Sequence, residues 1–159
     1  MGGLHDLSGF HVRAAVPEDR PAIAACARVS FEKYTPRIGK APAPVHADYA
    51  AHIERDAVFV GELAGRFAGY MVLLRHGDAM LLDAIALLPE FQGKGLGGAL
   101  MAYAEDFVLA RGMSEIVLYT NVFMTENQTF YPAVGYEEFA RKVEDGYDRI
   151  YYRKRLRPA

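Results

Sequence analysis

The chain has 159 residues, 52% of them apolar, and a formal net charge of −2. That length can bury one core without disulfides or a structural metal, so a single domain spanning residues 1–159 is expected. The near-neutral balance excludes electrostatic capture of nucleic acid or of an anionic membrane as the main activity, and the lone cysteine, Cys26, excludes an internal disulfide.

The N-terminal MGGLHDLSGF lacks the charged and apolar regions of a secretory leader. No apolar run approaches the roughly 18 residues of a membrane span, so a cytoplasmic protein is expected. Residues 10–16 alternate as a first strand. Pro17-Glu18-Asp19 then opens a helix, with acids in its first turn and a proline where its missing N–H costs least. This helix is expected to end near Tyr34 and to bury Cys26 as a small hydrophobe rather than present it as a nucleophile. Residues 34–44, YTPRIGKAPAP, hold three prolines and a glycine and read as an ordered loop of extended character. A second helix over 46–55 follows. Strands at 58–63 and 67–75, joined by Ala64-Gly65, lead through His76-Gly77-Asp78 into a strand at 80–88, giving three sequential antiparallel neighbours.

Residues 81–101, LLDAIALLPEFQGKGLGGALM, then run that apolar strand through a short turn into glycines and an amphipathic helix. Gly93, Gly95, Gly97 and Gly98 lack a Cβ, so their backbone can take positive φ and approach a ligand closely. Leu96, Ala99, Leu100, Tyr103, Phe107 and Val108 recur at helical spacing, so a helix begins inside the cluster and reaches about Arg111, where Gly112 stops it. Its first N–H groups have no intrahelical partners. With the positive end of the helix dipole, and Lys94 beside them, they suit a diphosphate. Gly93, Gly95 and Gly98 also satisfy G-x-G-x-x-G, but residues 89–92 part the first glycine from the strand, and no acid ends the next strand, where Thr120 and Asn121 stand. The Walker pattern G-x-x-x-x-G-K-[ST] is absent.

Residues 115–120 form the next strand, parallel to its predecessor because a helix connects them. A short helix over 126–134 follows, then strands at 137–143 and 148–154 in a hairpin about Asp145-Gly146. The order gives an α/β fold, a mixed sheet with helices on both faces. Its last hairpin is dense in Lys and Arg, which a charged sheet edge explains as well as ligand binding does. The five histidines show no metal-ligand spacing, and His46 and His52 read as surface residues, so no metal is expected.

Gln92-Gly93-Lys94-Gly95-Leu96-Gly97 matches the Q/R-x-x-G-x-G/A signature of the GNAT superfamily of N-acetyltransferases, and LLDAIALLPEF resembles the fourth strand and following loop of that family. Asn127-Gln128-Thr129-Phe130-Tyr131 and Gly135-Tyr136 resemble its fifth-strand exit, fourth helix and sixth-strand start. The resemblance implies a central sheet of about seven strands whose fourth and fifth strands splay apart to admit acetyl-coenzyme A. It implies cofactor contacts from the glycines, from Gln92, Lys94, Leu96 and Asn127, and from the main chain of Ile85, Ala86 and Leu87. One departure stands out: the asparagine usual seven residues before the tyrosine is Met124 here, and Asn127 occupies the usual alanine position.

Transfer to an amine needs a proton acceptor, because alkyl ammonium groups titrate near about 10.4. Asp83, a carboxylate interrupting an apolar strand, is a candidate base acting through water, or equally a solvated strand position. Glu126 is a second acid nearby, though an acid early in a helix also serves the dipole. The resemblance makes Tyr131 the general acid, since its phenol, with an ordinary pKa of about 10, is protonated at neutral pH. The acceptor side would be framed by Tyr34, Arg37 and Lys40, with Tyr147 and Tyr152 in addition. Arg37 and Lys40 could hold a carboxylate, which favours a small amine such as an amino acid. A non-catalytic acyl-coenzyme A sensor and an enzyme acting on protein N-termini or lysines stay open. A homodimer is carried only as the commonest oligomer.

Overall fold

The structure, a computed structural model, describes residues 7–157. The first six residues, on which part of the leader expectation rests, lie outside the described residues. Strands β1 (Phe10–Ala14), β2 (Val58–Leu63), β3 (Arg66–His76), β4 (Ala79–Leu87), β5 (Glu115–Asn121), β6 (Glu137–Glu144) and β7 (Tyr147–Arg155) form one sheet in the order β1-β2-β3-β4-β5-β7-β6. Only β4 and β5 are parallel, as the helix between them requires. The mixed seven-stranded sheet expected from the sequence is present. The closing hairpin enters the sheet with its second strand inward, so β7 is an interior strand and β6 alone forms that edge.

Helix α1 (Arg20–Phe31) and helix α3 (Tyr49–Glu54) cover one face, where Ile23, Cys26 and Ala27 pack with Tyr49, Ile53, Val60, Tyr70 and Ala84. Burial pushes the Cys26 thiol up to about 11, leaving it protonated at neutral pH. On the other face, helix α4 (Leu96–Ala110) buries Leu100, Met101, Ala104 and Val108 against Met80, Leu82, Ile116 and Leu118, beside helix α5 (Asn127–Ala133).

The segment expected to be extended is partly helical. After α1 ends at Phe31, a 3₁₀ turn at Glu32–Tyr34 and the single turn α2 (Thr35–Ile38) follow, closed by Gly39 at φ 92°. Pro36 sits in the first turn of α2, where no helical hydrogen bond is lost. The helix expected over 46–55 spans only Tyr49–Glu54, because Asp48 caps it by accepting the Ala51 N–H. Ala43–His46 form a separate 3₁₀ turn.

Two irregularities of β4 create the site. Val72 pairs with Ala84 but Leu73 pairs with Leu82, so Asp83 is an extra residue in β4, a bulge that re-aims the strand. Leu82 accordingly joins the α4 side of the core while Ala84 joins the α1 side. Parallel pairing with β5 also stops at Leu82 opposite Leu118. Beyond it, residues 83–87 and 119–121 diverge and leave a gap in the sheet.

Candidate functional site

The gap opens into a cavity of about 600 Å³, lined by Ser30, Phe31, Lys33, Tyr34, residues 85–87, Gln92, Gly93, residues 95–98, Glu126, Asn127, Phe130 and Tyr131. That volume is ordinary for a ligand site. Leu88 donates its N–H to Ala68 on β3. Alternation along β4 then turns the main-chain groups of Ala86 toward β3 and those of Ile85 and Leu87 toward the gap. The Ala86 carbonyl lies so close over Gly69 that a Cβ there would clash. The Leu87 carbonyl accepts from Gln92 Nε2 at 3.0 Å and from Ser30 Oγ at 3.2 Å, so Gln92 ties the glycine loop to the strand.

Gly93 and Gly95 hold φ of 75° and 80°, the left-handed region that glycine tolerates, and Gly95 is the N-cap of α4. A Cβ added at Gly93 or Gly98 would meet nothing within 4 Å, and one at Gly97 would make only ordinary contact with Phe130 and Leu87. The loop is therefore open toward the cavity, with the unpaired N–H groups of α4 behind it, and the residues present fit a pyrophosphate and its pantetheine arm. Lys94 is exposed and does not line the cavity.

On the α1 side of the same gap lies a second, smaller cavity of about 60 Å³, lined by Phe31, Pro42, Ala43, Pro44, residues 82–85, residues 119–121, Met124, Asn127, Tyr131, Tyr147 and Arg149. Phe31, Ile85, Asn127 and Tyr131 line both cavities, so the two meet at these residues. Tyr131 is buried on α5 among the rings of Phe130, Tyr136 and Tyr152, and its hydroxyl makes no hydrogen bond among the described residues. Burial, reinforced by Tyr152 and Tyr34, pushes its pKa up. The Tyr131 phenol thus stays a proton donor throughout the neutral range. Asn127 donates to Thr120 Oγ1 at 2.9 Å.

Asp83, which the bulge leaves on the same α1 side as Ala84, accepts a 2.7 Å hydrogen bond from the Tyr119 hydroxyl. Burial first, and Asp83 second, push the Tyr119 phenol up, so it donates to the carboxylate rather than competing with it. Glu126 is bound differently. It accepts from Tyr34 Oη and Arg37 Nη1, each at 2.9 Å, and its own backbone N–H, followed by Arg37, holds it down to about 2. A carboxylate so stabilised is a weak base.

The residues expected to frame the acceptor separate into two groups. Tyr34 lines the larger cavity. Arg37 is spent on Glu126 and the Phe123 carbonyl, and Lys40 on the Asp145 carbonyl at 2.6 Å and the Tyr147 ring, so neither lines the smaller cavity. Tyr152 packs against Tyr131 on the α4 side, an odd number of positions along β7 from Tyr147 and Arg149 and so on the opposite face of the strand. Tyr147 does line the smaller cavity and donates to the Ala41 carbonyl at 2.5 Å. Tyr119 and Arg149 escaped the sequence reading, because both sit in runs that look like ordinary strand and charged hairpin. Among the described residues no group of three or more His, Cys, Asp or Glu is placed to hold a metal, and no helix is long and apolar enough to cross a membrane.

The acetyltransferase (GNAT) family model matches residues 22–136. None of the curated proteins compared matches the sequence. Among solved structures, the PaiA N-acetyltransferase of Thermoplasma acidophilum, in complex with coenzyme A, is similar at 18% identity and TM-score 0.75, over 92% of this chain and 99% of that one. The ribosomal-protein alanine N-acetyltransferase of Escherichia coli gives 19% and 0.74, over 94% and 96%. A GNAT-family acetyltransferase of Listeria monocytogenes gives 22% and 0.72, over 92% and 95%. The family match and the glycine cradle agree, and the chain belongs to the GNAT family as an acetyl-coenzyme A-dependent N-acetyltransferase.

Proposed function

We propose that the protein acetylates the primary amine of a small molecule by direct attack within a ternary complex. The observation that carries this reading is the meeting of a large and a small cavity at Tyr131, Ile85 and Asn127. Bound acetyl-coenzyme A supplies an activated acetyl group with a thiolate as leaving group. The glycine loop and the N-terminus of α4 would take its diphosphate, and the gap-facing main chain of Ile85 and Leu87 its arm. An N–H there is also a preorganised donor for a carbonyl oxygen, a contribution of roughly 2.7 to 4 kcal/mol where such donors have been removed.

Asp83 is the proton acceptor for the incoming ammonium, through water, since it lines the smaller cavity while Glu126 is tied to Arg37. Tyr131 is the proton donor for the departing sulfur: its proton passes to the thiolate as the nitrogen–carbon bond forms and the carbon–sulfur bond breaks. Its raised pKa keeps that proton available; the second proton of the amine leaves the nitrogen to solvent once the nitrogen–carbon bond has formed, and a proton from solvent restores the phenol.

A small acceptor is favoured by the cover over the cavity. Pro42, Ala43 and Pro44 form one wall, and the Tyr147–Ala41 and Lys40–Asp145 bonds fasten that segment to the turn between β6 and β7. Turnover of acetyl-coenzyme A against amines, peptides and proteins tests the proposal. Small amines are expected to react and peptides not; reaction with peptides alone would overturn it. Tyr131→Phe should keep coenzyme A binding while kcat falls by about 10² to 10⁴. An unchanged kcat removes Tyr131 from the acid role.

A further inference from the structure

The smaller cavity carries one cation and one anion, and their surroundings differ. Asp83 is already bonded to Tyr119. Arg149, opposite Asn121 in the β5–β7 ladder, has a side chain only 13% exposed, with its guanidinium 4.3 Å from the Tyr119 ring centre and 5.3 Å from that of Tyr147. Its one carboxylate neighbour among the described residues, Glu144, forms a long ion pair with it at 3.6 Å. Glu144 Oε1 is itself the acceptor for the Tyr151 hydroxyl. Asp148, the next acid along β7, is engaged by Arg141 on the neighbouring strand.

The guanidinium is mostly buried, flanked by two aromatic rings and paired only loosely with Glu144, so most of its planar fork of donors is left free for a ligand in the cavity it lines. Solvation of a surface charge does not explain it. A fork held on aromatic rings matches a carboxylate, which it can bind through two parallel bonds.

We propose that Arg149 reads the carboxylate of the acceptor, so that the substrates are small aminocarboxylates whose amine lies toward Asp83. The inference rests on the acetyl-transfer reading and deepens it. Arg149 disfavours a polyamine, whose second ammonium would meet a like charge. It disfavours a peptide, whose N-terminal amine has its carboxyl group consumed in an amide. The volume of about 60 Å³ is on the scale of an aminocarboxylate head rather than a chain of residues.

The experiment measures kcat and KM with acetyl-coenzyme A for the proteinogenic amino acids, their carboxamides, their decarboxylated amines and aminophosphonate analogues. Wild-type enzyme should prefer its best amino acid over the matching carboxamide at least tenfold in kcat/KM. Arg149→Gln should abolish that preference by raising KM for the amino acid, while acetylation of the carboxamide and coenzyme A binding persist. Arg149→Lys, which keeps the charge but not the fork, should fall between them and guards against a Gln variant that does not fold. Equal use of acid and carboxamide by wild type, or an equal loss on both in the variants, overturns the proposal while leaving acetyl transfer standing. A preference for aminophosphonates over every amino acid overturns the carboxylate assignment. Absence of turnover on every amine while coenzyme A binds overturns both readings.

Discussion

The two cavities that meet at Tyr131 are built in opposite ways. The larger cavity takes its main-chain groups from one contiguous stretch, the end of β4, the glycine loop and the first turn of α4, within residues 85–98. The smaller cavity is mostly side chain, assembled from the end of α1, the segment 42–44, the bulge of β4, the end of β5, the start of α5 and the start of β7. The Tyr147–Ala41 bond that fastens it spans 106 positions. A cleft of main-chain donors recognises what all its substrates share, and a pocket of side chains recognises what distinguishes one acceptor from another.

The contrast can be broken first at the loop. Gly95→Val places a β-branched residue at φ 80°, adding about 1 to 3 kcal/mol of strain and a side chain where the ligand must approach. Coenzyme A binding should be lost; wild-type affinity in a calorimetric titration would refute the cradle. Side-chain substitution in the acceptor pocket should instead spare donor binding. Asp83→Asn keeps the partner of Tyr119 but removes the base, so kcat/KM should fall by roughly 10² or more with the coenzyme A dissociation constant unchanged. Steady-state kinetics with a matched titration check this, and an equal loss of coenzyme A binding would erase the distinction between the regions. The smallest effect is expected at Glu126→Gln. Its exposed pair with Arg37 contributes about 0.2 to 1 kcal/mol, so kcat should hold and the melting temperature shift only slightly. A large drop in kcat would move the base from Asp83 to Glu126.

The same contrast explains what the sequence disclosed. The glycine loop was legible because four glycines within six positions at a helix start state their backbone purpose directly. Asp83 was legible as the one charge in an apolar strand, and the family resemblance pointed to Tyr131. Arg149 was not, because RKVEDGYDRIYYRKR reads as a charged edge hairpin. Only the strand order, with β7 inside and β6 outside, turns Arg149 from an edge charge into a wall of the pocket. Arg37 and Lys40 show the reverse case. A loop position suggests a free cation, but their carboxylate and carbonyl partners lie about 90 and 105 residues away along the chain. The helical turn α2 was hidden by prolines that the first turn of a helix accepts.

The bulge at Asp83 behaves like a frameshift written into a strand. Upstream of it, one parity of residues faces α4; downstream, the other does. Any threading, graft or design that treats Ala79–Leu87 as nine regular positions inverts the second half, turning Ala84 and Ala86 toward the wrong helix. Length at this point is therefore more constrained than chemistry: the strand should tolerate exchange among small apolar residues far better than the loss or gain of a single position.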